Sequence, residues 1–210
     1  MRIAVIGAAG VAGRAFTAAA LAKGWEVRAL ARGEGRIPPA EGLTVVTGDA
    51  ADPAAMARAM EGVDAAILTV GERPTLRQMA LAPETSVCVD ATRAALDALP
   101  GRARLIVISA YGVGDTRERA PWLFKLYFFL ALRAQFADKE RQEAMVKASG
   151  ADWTIVQPVG LAPGQAKGDW LASAEGEIRR ATIRYADVAA FVIETLETGA
   201  HRRASVALSG

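Results

Sequence analysis

Twelve residues near the N-terminus, "IAVIGAAGVAGR" (3–14), limit what this chain can become more than any other stretch. A short apolar run stops at Gly7, and Gly10 and Gly13 follow at three-residue spacing before an Ala-rich segment. The apolar run reads as a buried strand, and the segment that follows reads as a helix ending near Gly24. A glycine-rich turn between a strand and a helix can simply be a tight core turn. It also lets backbone N–H groups approach an anion at the positive end of the helix, as dinucleotide pyrophosphates require. The G-x-x-G-x-x-G spacing, placed directly after the first strand, points to the second reading.

The rest of the chain repeats the alternation. Strands are expected at 26–31, 43–49, 64–70, 103–110 and 152–158, with 205–209 as an edge strand. Helices are expected at 52–61 (with an Asp52 cap and Pro53 at the first position), 84–99, 121–148 and 186–197. Strands this apolar need cover on both faces, as parallel strands have. The predicted fold is therefore α/β: a Rossmann-type doubly wound parallel sheet in three α/β/α layers. The 210 residues suit a single domain, 1–210, with a small substrate lobe around 112–136 and 161–183. That insert is too short to build the large substrate domain that nucleotide-sugar enzymes need.

In such sheets ligands bind beyond the carboxyl ends of the strands, so the residues that follow each strand matter most. After the second strand comes Arg32, where an NAD site would place an acid for the ribose 2′-hydroxyl. A guanidinium there, with Arg14 after the last glycine and Arg36 nearby, suits a 2′-phosphate, so NADP(H) is expected over NAD. Asp49 stands where a carboxylate could take an adenine amino group, or could bond its own turn. Thr69, Val70 and Gly71 follow the fourth strand and would lie under the middle of the cofactor. Ser109, Ala110 and Tyr111 follow the fifth, and Pro158 and Val159 end the sixth.

Taken in order, "GAAGVAG", Arg32, "GDAAD", "VISAYGVGD", "DWTIVQP" and "IRYADVAAFV" resemble the atypical short-chain dehydrogenase/reductase group with an NAD(P)H-binding domain. That group includes the NmrA-like proteins and the biliverdin reductase B/flavin reductase type. The resemblance runs from about residue 3 to 198. It implies that Gly7, Gly10 and Gly13 cradle the pyrophosphate, that Arg32 holds the 2′-phosphate, and that Asp49 and Ala50 hold the adenine; Ala9, Val11, Ala12 and Arg14, from the same turn, are further expected cofactor-binding residues. It further implies that Ser109 and Ala110 sit near the nicotinamide, that Pro158 and Val159 line it through the backbone, and that Asp187 helps to start the last helix.

The chain departs from the superfamily at its catalytic pair. The usual enzymes carry Tyr-x-x-x-Lys, in which the tyrosine supplies a proton. Here Asp115, Ala131 and Ala189 stand four residues after Tyr111, Tyr127 and Tyr185. Lys139 and Glu143 share a helix face one turn apart; Lys139 is either a solvated partner of Glu143 or, with Ser109, a catalytic group facing the substrate. Without the tyrosine, the chemistry narrows to hydride transfer onto a planar conjugated acceptor such as a flavin or quinone, which needs positioning more than a dedicated acid. The alternative is a non-catalytic NADP(H)-binding redox sensor of the NmrA-like kind.

Residues 120–136 hold six of the thirteen aromatics. They form either core packing with a dimer patch or a wall that stacks the acceptor. Tyr111, Trp122, Tyr127 and Trp170 are the candidate substrate residues, although Trp170 could equally cap the core. One His (His201, expected in a solvent-facing loop) and one Cys (Cys88, expected as packing) make no zinc site. A net charge of +2 with scattered arginines gives no nucleic-acid stripe. The apolar runs 3–6 and 127–132 are too short to be a signal core or a span. The lone cysteine fits a reducing cytoplasm, and a monomer or homodimer is expected.

Overall fold

The computed structural model describes residues 1–33, 35–72, 84–119 and 132–210. Ten strands and five helices follow one another along the described chain. The strands are β1 (Arg2–Ile6), β2 (Glu26–Ala31), β3 (Leu43–Thr47), β4 (Ala65–Leu68), β5 (Arg104–Ile108), β6 (Asp152–Pro158), β7 (Gly160–Ala162), β8 (Leu171–Ser173), β9 (Thr182–Arg184) and β10 (Ala204–Ser209). The helices are α1 (Val11–Ala22), α2 (Pro53–Met60), α3 (Val87–Ala98), α4 (Arg133–Ala148) and α5 (Tyr185–Thr198), with a 3-10 turn at Gly114–Thr116.

The main sheet runs β3-β2-β1-β4-β5-β6-β10-β8. Every pairing in it is parallel except β10 with β8. The strand order reverses between β1 and β4, which opens a crevice at the carboxyl edge. This is the doubly wound architecture expected from the alternation. One detail differs: β10 is not an edge strand. It lies between β6 and β8, because the short β8 of the insert pairs antiparallel to it and covers its far side.

The pleat explains why both faces must be covered. In β1, Ile3 and Val5 join one core cluster with Phe16 of α1 and Phe191 and Val192 of α5. Ala4 and Ile6 join the opposite cluster with Met56 and Met60 of α2 and Ala91 and Ala95 of α3. Side chains of alternate residues point to opposite faces, so a strand apolar at every position stabilises only a sheet with helices on both sides.

Helix boundaries follow local chemistry. Asp52 caps α2 as expected, its side chain accepting from the Ala54 N–H at 3.0 Å with Pro53 at the first position. α3 is capped from outside: its flanking Ser86 bonds Asp90 instead, and the buried Asp138 of α4 accepts the Cys88 N–H at 2.8 Å and the Val89 N–H at 3.3 Å. The described part of the long helix expected over 121–148 is α4. Trp122, Tyr127 and the rest of 120–131 lie outside the described residues.

Three smaller expectations change. Asp187, in the first turn of α5, holds the insert rather than a helix end: its carboxylate accepts the Lys167 and Gly168 N–H groups at 2.6 and 3.0 Å. His201 is half-buried with its ring centroid 5.5 Å from that of Phe191, so it is a packing residue and not solvent-facing. Trp170 is half-buried and packs edge-on to Phe191 at 6.4 Å and against the core, the contacts expected of a core cap. Among the described residues no helix is long and apolar enough to cross a membrane.

Candidate cofactor and hydride-transfer site

A cleft of about 350 Å³ lies along the carboxyl ends of β3, β2, β1 and β4. Gly7, Ala9, Gly10, Arg32, Asp49, Ala50, Thr69, Val70 and Gly71 all line it. The loop after β1 is shaped by its glycines. Gly7 has φ +85°, and a Cβ there would stand 2.9 Å from the Thr69 carbonyl oxygen. Only glycine gives this turn and this approach to β4. Gly10 is the N-cap of α1 and offers no side chain, and no acid stands in the first helical turn. The positive end of α1 therefore faces the cleft without an internal counter-charge.

Gly13 has a different task from the one expected of it. It is buried, and a Cβ would lie 2.3 Å from the Gly7 carbonyl oxygen and 2.6 Å from the Ala8 Cα. Its missing Cβ lets α1 pack onto the loop, and it stands outside the lining of the cleft. Val11 and Ala12, which start α1, stand outside the lining of the cleft.

The Arg32 end of the cleft carries more positive charge than Arg32 alone. Arg36 also lines it and lies over Gly33, where a Cβ would sit 3.2 Å from its Nε. Arg14 donates to the Arg36 carbonyl at 3.5 Å. Asp49 lines the cleft while accepting the Ala51 N–H at 2.9 Å, so its turn bond and its exposure to a ligand coexist. Two further acids on the lining already have partners: Glu72 accepts from Thr85 at 3.1 Å, and Asp90 from Ser86 at 2.6 Å.

A family model described as NAD(P)H-binding matches residues 7–199. The chain belongs to this NAD(P)H-binding family. The matched range takes in the glycine loop, the carboxyl ends of β2, β3 and β4 and the last helix. No curated protein sequence gives a significant match. Solved structures do. ChuY, an anaerobillin reductase from Escherichia coli O157:H7, is 26% identical with a TM-score of 0.78, over 100% of this chain and 97% of that one. A short-chain dehydrogenase/reductase from Veillonella parvula DSM 2008, solved in complex with NADP, is 20% identical with a TM-score of 0.81, over 100% and 94%. SP1627 of Streptococcus pneumoniae TIGR4, described as a proposed NADH-flavin reductase, is 22% identical with a TM-score of 0.75, over 99% and 98%.

In this member of the NAD(P)H-binding family, the edge of the sheet continues past β4 to the ends of β5 and β6. Ser109 follows β5 and is buried. Its hydroxyl donates to Glu143 Oε1 at 2.5 Å. Glu143, also buried, accepts from Gln157 Nε2 at 2.9 and 3.1 Å on its two oxygens. Burial pushes the Glu143 carboxyl above its usual range, and the Ser109 and Gln157 bonds partly oppose this. Gly114 makes the room: with φ +51°, it has no Cβ where one would stand 2.1 Å from Glu143 Oε2.

Lys139 does not pair with Glu143. Its ammonium donates to the Ile108 carbonyl at 3.1 Å, because the Glu143 carboxylate is turned into the sheet by Ser109 and Gln157. Pro158 and Val159 offer less backbone to a ligand than expected. The Pro158 carbonyl accepts the Tyr111 N–H at 2.9 Å, and the Val159 N–H goes to Leu208 at 3.0 Å. Tyr111 is buried with its hydroxyl donating to Gly176 at 3.3 Å, and burial raises its pKa. It edges a shallow hollow shared with Arg119, Leu171, Ile178 and Arg179.

Sequence reasoning treated Glu143 as a surface partner and passed over Gln157. The available signal was Gln157 itself, a polar side chain in the otherwise apolar "WTIVQP". A polar group in a buried strand needs a buried partner.

Proposed function

We propose that the chain is an NADPH-dependent reductase that passes a hydride to a planar conjugated acceptor, a flavin or quinone or a similar ring system. Gly7, Ala9 and Gly10 with the start of α1 hold the pyrophosphate. Arg14, Arg32 and Arg36 hold the 2′-phosphate. Asp49 and Ala50 meet the adenine, and Thr69, Val70 and Gly71 underlie the middle of the cofactor. Ser109 and Ala110 stand at the nicotinamide end, and the acceptor lies under the lobe built from 112–119 and 161–183. When bound, the cofactor supplies the hydride.

The observation that carries the reading is what stands at the carboxyl end of β5. A serine backed by a buried carboxyl is there, and no tyrosine in the chain has a lysine four residues on. Ketone reduction develops a basic alkoxide that needs a strong local acid; a conjugated acceptor spreads the charge and needs much less. The reductase names of ChuY and SP1627 agree with this chemistry. The lone, buried Cys88, whose thiol is pushed up to about 11 by burial, suits work in a reducing compartment.

Titration of NADPH and NADH, each with and without FMN or a soluble quinone, tests the proposal. NADPH should bind about tenfold or more tightly than NADH, and Arg32→Glu should reverse that order by removing a charge-assisted contact and adding repulsion. Unchanged NADPH affinity in Arg32→Glu would refute the cofactor assignment. Tight cofactor binding without turnover of any flavin or quinone, together with redox-dependent capture of a protein partner, would favour the non-catalytic regulator.

A further inference from the structure

Glu143 is a carboxyl almost sealed from water, and among the described residues its one ion pair is a long one. The partner, Lys147 Nζ, stands 3.9 Å from Oε2 on the next turn of α4. Gln157 supplies neutral N–H bonds only, and its own Oε1 is buried with no partner. A buried carboxylate whose cation stands beyond hydrogen-bond distance is under-compensated for its lost hydration and favours its protonated form. The other charged group facing it is Asp115 of the 3-10 turn, whose carboxylate is bound by Lys147 at 2.7 Å. Lys139, one turn earlier, is committed to the Ile108 carbonyl.

Exposure along this set changes in one direction. The side chain of Glu143 is 2% exposed, that of Lys147 30% and that of Asp115 57%. The groups therefore form a polar path from Ser109, at the strand end that continues the cleft, to solvent beside Asp115. This path does not pass through the mouth of the cleft.

We propose that Ser109 and Glu143 are a buried proton-delivery pair, recharged from solvent through Lys147 and Asp115, that serves the hydride acceptor. This rests on the reductase reading. Reduction of the acceptor takes one hydride and one proton. The proton leaves Ser109 Oγ for the reduced acceptor. With the Ser109–Glu143 bond reversed, the serine hydroxyl turned to the acceptor and the carboxyl now the donor, the O–H bond of the protonated Glu143 carboxyl breaks and its proton restores the serine hydroxyl. The Lys147 ammonium then gives a proton to the Glu143 carboxylate and regains one from solvent water beside Asp115, the hydroxide so formed passing to bulk water. The sum is one hydride from NADPH and one proton from solvent. Ser109 is the group that would touch the acceptor; Glu143 acts through it and is a positioning residue.

Two measurements test the pair. In the purified protein, the infrared band of a protonated carboxyl is followed against pH. Wild type should keep such a band above the ordinary carboxyl range, Glu143→Gln should lack it, and Ser109→Ala should move its titration upward by removing a bond to the charged form. In steady-state NADPH oxidation with a soluble quinone, Glu143→Gln should lower kcat about tenfold or more and abolish the fall of kcat at high pH, with the KM for NADPH unchanged. Lys147→Met should leave the fold intact, lower kcat by slowing the recharging of Glu143, and move the high-pH fall of kcat upward because a cation that lowers the Glu143 pKa is gone, which keeps the test available if Glu143→Gln fails to fold. A wild-type carboxyl that titrates in the ordinary range overturns the proposal. Wild-type turnover with unchanged kcat and pH profile in Glu143→Gln and Lys147→Met overturns the pair and leaves the reductase standing. Absence of any NADPH oxidation by wild type overturns the reductase reading and the role of the pair with it.

Discussion

Gly114→Ala should be among the most damaging single-methyl changes in this protein. The new Cβ would lie 2.1 Å from Glu143 Oε2 and 3.1 Å from its Cδ, and the backbone at residue 114 has φ +51°. An L-residue in that region costs roughly 1–2 kcal/mol. The clash must be relieved by the carboxyl, which is held at 2.5 Å by Ser109 and at 2.9 and 3.1 Å by Gln157. Pushing it away weakens buried hydrogen bonds of a kind worth roughly 1.5–3 kcal/mol. The total is roughly 2.5–5 kcal/mol, a large share of the stability of an ordinary domain. Urea denaturation followed by circular dichroism reads this as a lower midpoint at unchanged slope. Gly101→Ala is the control: nothing lies within 4 Å of its Cβ and its φ is not positive, so its midpoint should stay near wild type. Adding Glu143→Ala to Gly114→Ala should cost less than the sum of the two single changes, since each removes the same conflict. A Gly114→Ala protein within about 1 kcal/mol of wild type would refute the placement of the Glu143 carboxyl against this turn.

Three other outcomes are expected. Gly13→Ala should cost roughly 1–3 kcal/mol by overpacking α1 against the backbone of Gly7 and Ala8, and should weaken NADPH binding measured by fluorescence titration. Asp138→Ala should cost roughly 2–3 kcal/mol in the same urea assay, because the Cys88 and Val89 N–H groups at the start of α3 lose a charged acceptor. The pH dependence of stability should carry the mark of Glu143. Its folded pKa is raised, so between the unfolded and folded values the native state holds a proton that the unfolded state has released. Stability from this group is full below the unfolded value of 4.5 and is lost as pH rises through the folded one. The stability difference between wild type and Glu143→Gln should therefore fall across that window, and a difference independent of pH would refute the shift.

The cleft was legible in the sequence because its parts are local. Glycine spacing after β1, Arg32 after β2 and Asp49 after β3 are each read from a few consecutive residues. The strand order multiplies their value by bringing all three to one edge. What the sequence could not show depends on contacts between distant segments. Nothing local tells that Gly13 packs on Gly7, or that Asp138 caps a helix fifty residues earlier. β10 looked like an edge because β8, only three residues long and inside an irregular insert, carries no strand pattern of its own.

Glu143 shows the limit most clearly. Spacing along α4 allows it two lysine partners, Lys139 behind and Lys147 ahead. A surface ion pair contributes little, so a buried set of hydrogen bonds easily outcompetes it. Ser109 and Gln157, from two neighbouring parallel strands, present a hydroxyl and an amide at the depth that the side chain reaches. Turning inward takes the carboxyl out of water and away from Lys139, leaves Lys147 at 3.9 Å, and raises its affinity for a proton through burial, which outweighs the opposing pull of Lys147. The same turn sets the carboxyl against the hydroxyl of Ser109, the residue that follows β5. A chain without the superfamily tyrosine thus keeps an acid at the sheet edge, one matched to acceptors whose reduced form asks little of it.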